Sequence, residues 1–227
     1  QKKYRKQEQL FFAEGVKVVQ ELLNSNFELQ DLFTTKQDFL TVSKDKVHAI
    51  SEAELKKISA LTTPNTCLAV FKMPKSKDFV EKGLIVALDD VRDPGNLGTI
   101  IRLCDWFGIE TLFCSEESVD IYNPKVVQAT MGSISRVNVV YGNLEAFLTK
   151  TKLPVFGTFM DGKNIYQEKL PKEGIIIMGN EANGISSSVE KLVSERIAIP
   201  RFGNLQVTES LNVATATAII LSEFKRS

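Results

Sequence analysis

Three turns rich in glycine and asparagine hold the residues of this 227-residue chain whose types and spacing suit chemistry. The first, DDVRDPGNLG at 89–98, leads into a helical pattern that carries Arg102. Asn96 and Gly98 at a helix start would leave backbone N–H groups unpaired, a natural place for an anion such as a phosphate. Arg102 follows within two turns, close enough to point back over that start. An ordinary helix cap with a surface arginine fits the same spacing. The second turn, GNEANG at 179–184, lacks the G-x-G-x-x-G spacing of a dinucleotide site. Its Glu181 suits a hydroxyl or an amine, or the loop simply turns the chain. The third, RFGNLQVTES at 201–210, follows Ile199 and Pro200 and enters a helix beginning SLNVATATA. Small side chains there let a backbone or ligand approach closely, and Ser210 or Asn212 can cap the helix. A capped helix packed on a sheet explains the small residues but not the long polar loop before them.

Other chemistries are excluded by what the chain lacks. One histidine, His48, and three scattered cysteines, Cys67, Cys104 and Cys114, offer neither a zinc ligand set nor a histidine-based triad. These four residues read as structural. No Walker lysine follows the glycines at 95 and 98, which removes a nucleotide-kinase reading. The cysteine spacing contains no C-x-x-C pair, and an odd thiol is left over from any disulfide, so a reducing cytoplasm is the expected compartment. No apolar run approaches the roughly 18 residues of a membrane span, and no secretion signal opens the chain. It begins on Gln1 rather than Met, so a short upstream piece is expected. With 43% hydrophobic and 25% charged residues, a soluble globular protein is expected. The 28 basic and 28 acidic side chains balance overall, but residues 1–77 sum to +4 and residues 78–227 to −4.

The elements that must position the three turns come from periodicity. A polar stretch with a proline at 73–83 reads as a linker between a first domain, 1–77, and a second, 78–227. In the first, Phe11, Phe12, Val16, Val19, Leu22 and Leu23 recur at helical spacing. Short apolar runs follow at 29–34 and 47–50. Ser51 and Glu54 make a capping box for a helix through Leu61, and 67–73 reads as a strand. The basic opening at 2–6 is a solvated helix start or a phosphate-contacting arm. In the second domain, strands at 84–91, 111–115, 137–141, 154–160, 174–179 and 196–200 alternate with helices at 96–107, 123–132, 144–150, 186–193 and 211–224. Such alternation predicts an α/β domain with a mostly parallel sheet and sites at the carboxyl ends of its strands. All three turns would open at that edge.

In this order and at these distances, DVRDPGNLGTIIR at 90–102, IMGNEANGIS at 177–186, and Ile199-Pro200 with SLNV at 210–213 resemble the SpoU (TrmH) family of RNA ribose 2′-O-methyltransferases, of the SPOUT class. The resemblance covers residues 84–227. More loosely, FAEGVKVV at 12–19 and LTTPNTCLAVF at 61–71 look like the small α/β substrate-binding domain, related to a ribosomal-protein fold, that many members carry first. The resemblance implies a SPOUT catalytic domain with a C-terminal deep trefoil knot, a homodimer, and S-adenosylmethionine as cofactor, with no metal and no membrane. It implies methyl transfer to an RNA ribose 2′-hydroxyl, with ribosomal RNA ahead of transfer RNA. A SPOUT-like RNA-binding protein without catalysis is the alternative.

Carried over by position, Gly179, Ile199 and Leu211 would hold the cofactor, with Thr158 at the end of the preceding strand. Arg102, Asn96, Glu181, Ser210 and Asn212 would be the catalytic set. A guanidinium is normally always protonated, so Arg102 either accepts the hydroxyl proton together with an RNA phosphate or clamps that phosphate bidentately. The chain departs from the family pattern at Ala182 and Arg201, in a longer loop before Ser210, and at Asn65 and Thr66 in place of Gln-Gly.

Overall fold

The computed structural model describes residues 2–36, 41–75, 79–204 and 210–226. It divides into two compact units: Gln1–Ser76 with Asp120–Ser135, and Lys77–Val119 with Arg136–Ser227. Three residues of the expected linker, 76–78, lie outside the described residues.

The first unit opens with α1 (Lys2–Glu8), so the basic run is helical. Lys2, Lys3 and Lys6 are exposed, while Arg5 donates to Asp120 Oδ2 at 2.6 Å. The helical spacing expected from Phe11 onward starts too early. Leu10–Glu14 is a strand, β1, and Gly15, at φ 80°, turns the chain into α2 (Val16–Leu23). Strand pairing overrides the local pattern because Phe11 faces Phe71 across an antiparallel ladder. β2 (Leu29–Thr34), β3 (Val47–Ala49), α3 (Glu52–Ile58) and β4 (Cys67–Lys72) complete the run. The four strands lie in the order β1-β4-β2-β3, with β3 parallel to β2 and the other pairs antiparallel. The Ser51–Glu54 capping box is formed. α3 ends at Ile58 rather than Leu61, because the buried Glu14 carboxylate accepts from the Ser59 hydroxyl and the Ala60 N–H. Phe11 and Phe71 are fully buried and stacked with centroids 5.7 Å apart. Each such ring contributes roughly 1.5–3 kcal/mol by leaving water.

In the second unit β5 (Leu84–Leu88) is buried throughout and leads to α4 (Pro94–Trp106). This helix begins two residues before the expected Asn96, since Asp93 caps it and Pro94 takes its first turn, where no N–H is needed. β6 (Thr111–Ser115) follows. The chain then supplies α5 (Pro124–Thr130), capped by Asn123, to the first unit, where Tyr122 packs 4.8 Å from Phe11. Back in the second unit come β7 (Asn138–Gly142), α6 (Leu144–Lys150), β8 (Val155–Asn164) and β9 (Gly174–Met178). α7 (Ser187–Glu190), β10 (Glu195–Ala198) and α8 (Val213–Arg226) close it. α7 is one turn rather than the expected span to 193, because the Ser194 N–H is drawn to the Val155 carbonyl at 3.0 Å.

The six strands are ordered β10-β8-β9-β5-β6-β7 and every adjacent pair is parallel. Chain order therefore reverses between β5 and β9, the place where an open parallel sheet leaves a crevice beyond its carboxyl ends. The pairing of β10 with β8 jumps from Arg196↔Gly157 to Ile197↔Lys163. That jump frees Thr158, Phe159 and Met160 from the ladder to line a cleft. Among the described residues no helix is long and apolar enough to cross a membrane, and no cluster of three metal-ligating side chains occurs.

Candidate active site

The loops after β5 and β9 meet at the switch point and are held by side-chain bonds across it. Asn180 Nδ2 donates to the Asp90 carbonyl at 2.6 Å, and the Ser186 N–H donates to Asp89 Oδ2 at 2.7 Å. Asn180 Oδ1 accepts from the Ala182 and Asn183 N–H groups at 2.9 and 3.0 Å, closing an Asx turn. The turn doubles back so tightly that Asn180 and Gly184 exchange backbone bonds, both 2.9 Å. Gly179 is required there: a Cβ on it would stand 2.3 Å from the Gly184 carbonyl carbon. Gly184 has φ 68°, whereas Ala182 is not among the residues with positive φ, so alanine is accommodated at that departure from the family pattern. Asp90 itself has φ 58°, a left-handed conformation held by its N–H bond to Ser115 Oγ at 3.0 Å.

Glu181 reaches the start of α4. Its carboxylate accepts from Asn96 Nδ2 at 3.0 Å, the Asp93 N–H at 3.2 Å and the Arg92 N–H at 3.4 Å. The Asn96 N–H is taken by Asp93 Oδ1 at 2.8 Å. The anion expected at this helix start is therefore a side chain of the protein rather than a bound phosphate. Partial burial pulls the Glu181 pKa upward. Hydrogen bonds from the Asn96 amide, its own backbone and the Asp93 and Arg92 N–H groups outweigh that and hold the carboxyl below its ordinary value.

The chain of bonds continues into the third turn. Asn212 Nδ2 donates to Asn96 Oδ1 at 2.9 Å, and Asn212 Oδ1 accepts from the Ala214 and Thr215 N–H groups at 2.9 and 3.2 Å. Asn212, not Ser210, thus caps α8. Each amide donates at one end and accepts at the other, so the order Glu181, Asn96, Asn212, α8 admits one orientation of both asparagines.

Beside this relay lies a cleft of about 1280 Å³. Thr158, Gly179, Ile199 and Leu211, the four expected cofactor residues, all line it, as do Glu181, Ser210 and Asn212. Asn96 is tied to that lining through Glu181 and Asn212 but is not part of it. Arg102 stands apart: it is exposed on α4, outside the lining, and makes no hydrogen bond or ion pair among the described residues. Of the polar loop at 201–210, residues 205–209 lie outside the described residues.

Asp89, Asp93 and Asn180 also hold these loops, through bonds to Ser186, Asn96 and Asp90. Asp93 before Pro-Gly carries a cap signature and Asn180 an Asx-turn signature, but nothing local points Asp89 at Ser186. The thiols of Cys67, Cys104 and Cys114 are buried, and burial pushes that of Cys67 up to about 11.

Residues 83–222 match the model of the SpoU rRNA Methylase family, and residues 1–69 that of an MRM3-like substrate binding domain. The Bacillus subtilis 23S rRNA (guanosine(2553)-2'-O)-methyltransferase RlmP is 29% identical over 97% of this chain and 90% of its own length. A TrmH-family protein from Porphyromonas gingivalis superposes with a TM-score of 0.89 at 40% identity, covering 100% of this chain and 93% of that one. The AdoMet-bound rRNA methyltransferase from Sinorhizobium meliloti does so at 0.87 and 29% identity, covering 100% and 90%. Three motifs joined at one crevice, and a family model spanning most of the chain, lead to one conclusion: this protein belongs to the SpoU rRNA methylase family.

Proposed function

We propose that this chain transfers the methyl group of S-adenosylmethionine to a ribose 2′-hydroxyl of ribosomal RNA. The observation that carries the reading is the relay from Glu181 through Asn96 and Asn212 to α8, which ties all three motifs to the rim of one cleft. The cleft suits the cofactor: it exceeds the roughly 300–1,000 Å³ of a small-molecule pocket, leaving room for part of a nucleotide. Gly179 lets the turn at 179–184 close on itself at the cleft wall, because a Cβ there would strike the Gly184 and Ile185 backbone. Ile199 and Leu211 offer apolar walls. The Thr158 hydroxyl donates to the Ile177 carbonyl at 2.9 Å, which leaves its lone pairs free to accept from an amino group. The cofactor supplies an electrophilic methyl group.

The protein's part is alignment. Ser210 lines the cleft with a hydroxyl unused among the described residues, suited to holding the ribose. Glu181, kept ionised by its donors, positions Asn96 and Asn212 rather than moving a proton. Arg102 engages the RNA backbone, where its planar fork matches a phosphate. Tritiated methyl transfer to unmodified 23S ribosomal RNA, with 2′-O-methyl mapping of the product, tests the activity. Absence of transfer, or methylation at a base, refutes it. Near-normal transfer by either Arg102→Ala or Arg102→Lys removes Arg102 from the site.

The working form is a homodimer. Its support is the outer stripe of α4, where Thr99, Arg102 and Trp106 are exposed and the Trp106 indole is 84% accessible. Sedimentation of Trp106→Glu as a monomer, against a dimeric parent, is the expected result. The C-terminal segment is knotted, a reading that fits α8 packing against both α4 and the turn at Ile165–Gln167. Buried, unpaired thiols fit a reducing cytoplasm. Residues 1–77 form the RNA-recognition domain and 78–227 the catalytic one. Because Asp120–Ser135 packs with the first unit, deleting 1–77 would uncover the buried Val126 and Val127. Replacing Lys2, Lys3 and Lys6 with Gln is the cleaner test, and it should weaken RNA binding and flatten its salt dependence.

A further inference from the structure

Large apolar side chains cluster around the mouth of the cleft. Met160, Tyr166, Phe202 and Leu211 are all exposed there. Single exposed apolar residues need no explanation, but several around one concavity mark a surface that expects cover. Two of them are rings. Phe202 is 81% accessible and Tyr166 is 42% accessible.

The Tyr166 ring projects from anchored backbone. Tyr166 sits in a short turn, Ile165–Gln167, whose Ile165 is fully buried and whose start is capped by Asn164 Oδ1 accepting from the Tyr166 N–H at 3.1 Å. Phe202 follows β10 by way of Ile199 and Pro200, and proline restricts that stretch. Their centroids are 6.3 Å apart at an interplanar angle of 32°, against 4.5 Å for the packed pair Phe113 and Phe147. Stacked bases repeat at about 3.4 Å, so one flat ring fits between the two once they part slightly and lose their 32° tilt.

We infer that Phe202 and Tyr166 form the platform that takes the target nucleobase while its ribose is presented to Ser210. This deepens the proposed methyl transfer and rests on it. The rings are specificity and positioning residues: they hold the base and do not touch the reacting atoms. Every nucleobase has a π face, so stacking here fixes geometry, and the polar edge of the cleft selects among bases.

The test uses the full-length protein with S-adenosylmethionine and an unmodified 23S ribosomal RNA transcript. Phe202→Ala and Tyr166→Ala should each raise the KM for RNA by roughly 5- to 150-fold, the scale of removing one aromatic from one stacked base. Cofactor affinity by calorimetry should stay within about twofold of the parent. Phe202→Tyr should restore the KM. Parallel loss of cofactor affinity in Phe202→Ala would assign the rings to the cofactor and overturn the inference, as would an unchanged KM in both variants. A second readout is independent of turnover. In Phe202→Trp, RNA should quench indole emission well beyond the quenching seen in the parent, whose single tryptophan is Trp106. No extra quenching overturns stacking. A parent that binds the cofactor and shows RNA quenching in this variant, yet transfers no methyl group, would instead refute the proposed activity.

Discussion

Two helix starts, one in each unit, satisfy their first amides with side-chain oxygens, and the difference between them separates scaffold from site. At α3 both partners are local. The Ser51 hydroxyl accepts from the Glu54 N–H at 3.3 Å, and the Glu54 carboxylate accepts from the Ser51 N–H at 2.8 Å. At α4 one partner is local, Asp93, and the other is Glu181, which accepts from the Asp93 N–H across 88 residues of sequence. A local cap stabilises a helix wherever the chain goes. A remote cap stabilises it only when the fold is complete, so it can hold a site in register. The same physical device serves folding in one unit and positioning in the other.

The strongest way to break the contrast is to remove the turn that delivers Glu181. Gly179→Ala puts a methyl group against the Gly184 backbone, with no flexible side chain to yield. It should lower stability by about 1–3 kcal/mol and abolish measurable cofactor binding, checked by denaturant unfolding and calorimetry. Glu181→Ala comes next. It leaves Asn96 Nδ2 and two backbone N–H groups without their acceptor, and should cut kcat by up to about 100-fold through misplacement. Its unfolding midpoint should move little, because Glu181 is exposed in the chain and screened. A large drop in stability with unchanged kcat would make Glu181 a plain cap.

Ser51→Ala should show the opposite pattern, losing about 1 kcal/mol of stability while kcat stays at the parental value. Thr66 has φ 60°, a left-handed conformation costly for a β-branched residue, at the position where glycine is usual in the family. Thr66→Gly should therefore gain about 0.5–1 kcal/mol, again without altering kcat.

The smallest effect is in pH dependence. The folded Glu181 carboxyl lies below its ordinary value of 4.5, so its contribution is present above that value and lost as pH falls through the folded one. The melting temperature of the parent should exceed that of Glu181→Gln at neutral pH, and the gap should close in the acid range below the ordinary value. A gap that widens on acidification would reverse the sign of the assigned shift.

Much of the scaffold was legible because its signals are local. The strand at 111–115, the helix at 144–150, the Asn123 cap with Pro124 behind it and the Ser51–Glu54 box all rest on neighbours within a few residues. The misreadings share a physical cause. Phe11 and Phe12 fit a helical period until β4, some 60 residues away, claims them as a strand. The helix at 51–61 is cut short by Glu14, and that at 186–193 by Val155. Distant partners decided each of these. In the site the residues were legible and their relations were not. Asn96, Glu181 and Asn212 stood out by motif, yet their relay, the capping of α8 by Asn212 and the role of Asp89 depend on bonds that close only in the fold.

Residue type, turn chemistry and alternation by themselves determined a parallel α/β unit whose three polar turns share one sheet edge, because a βα repeat puts every strand's carboxyl end on the same side. Only the tertiary structure decided that the anion at the start of α4 is Glu181, that Arg102 stands outside the cleft, and that Asp120–Ser135 folds with the first unit. Hydrogen bonds reach about 3 Å whatever the sequence separation, so which groups meet is fixed by strand order and loop closure rather than by spacing along the chain.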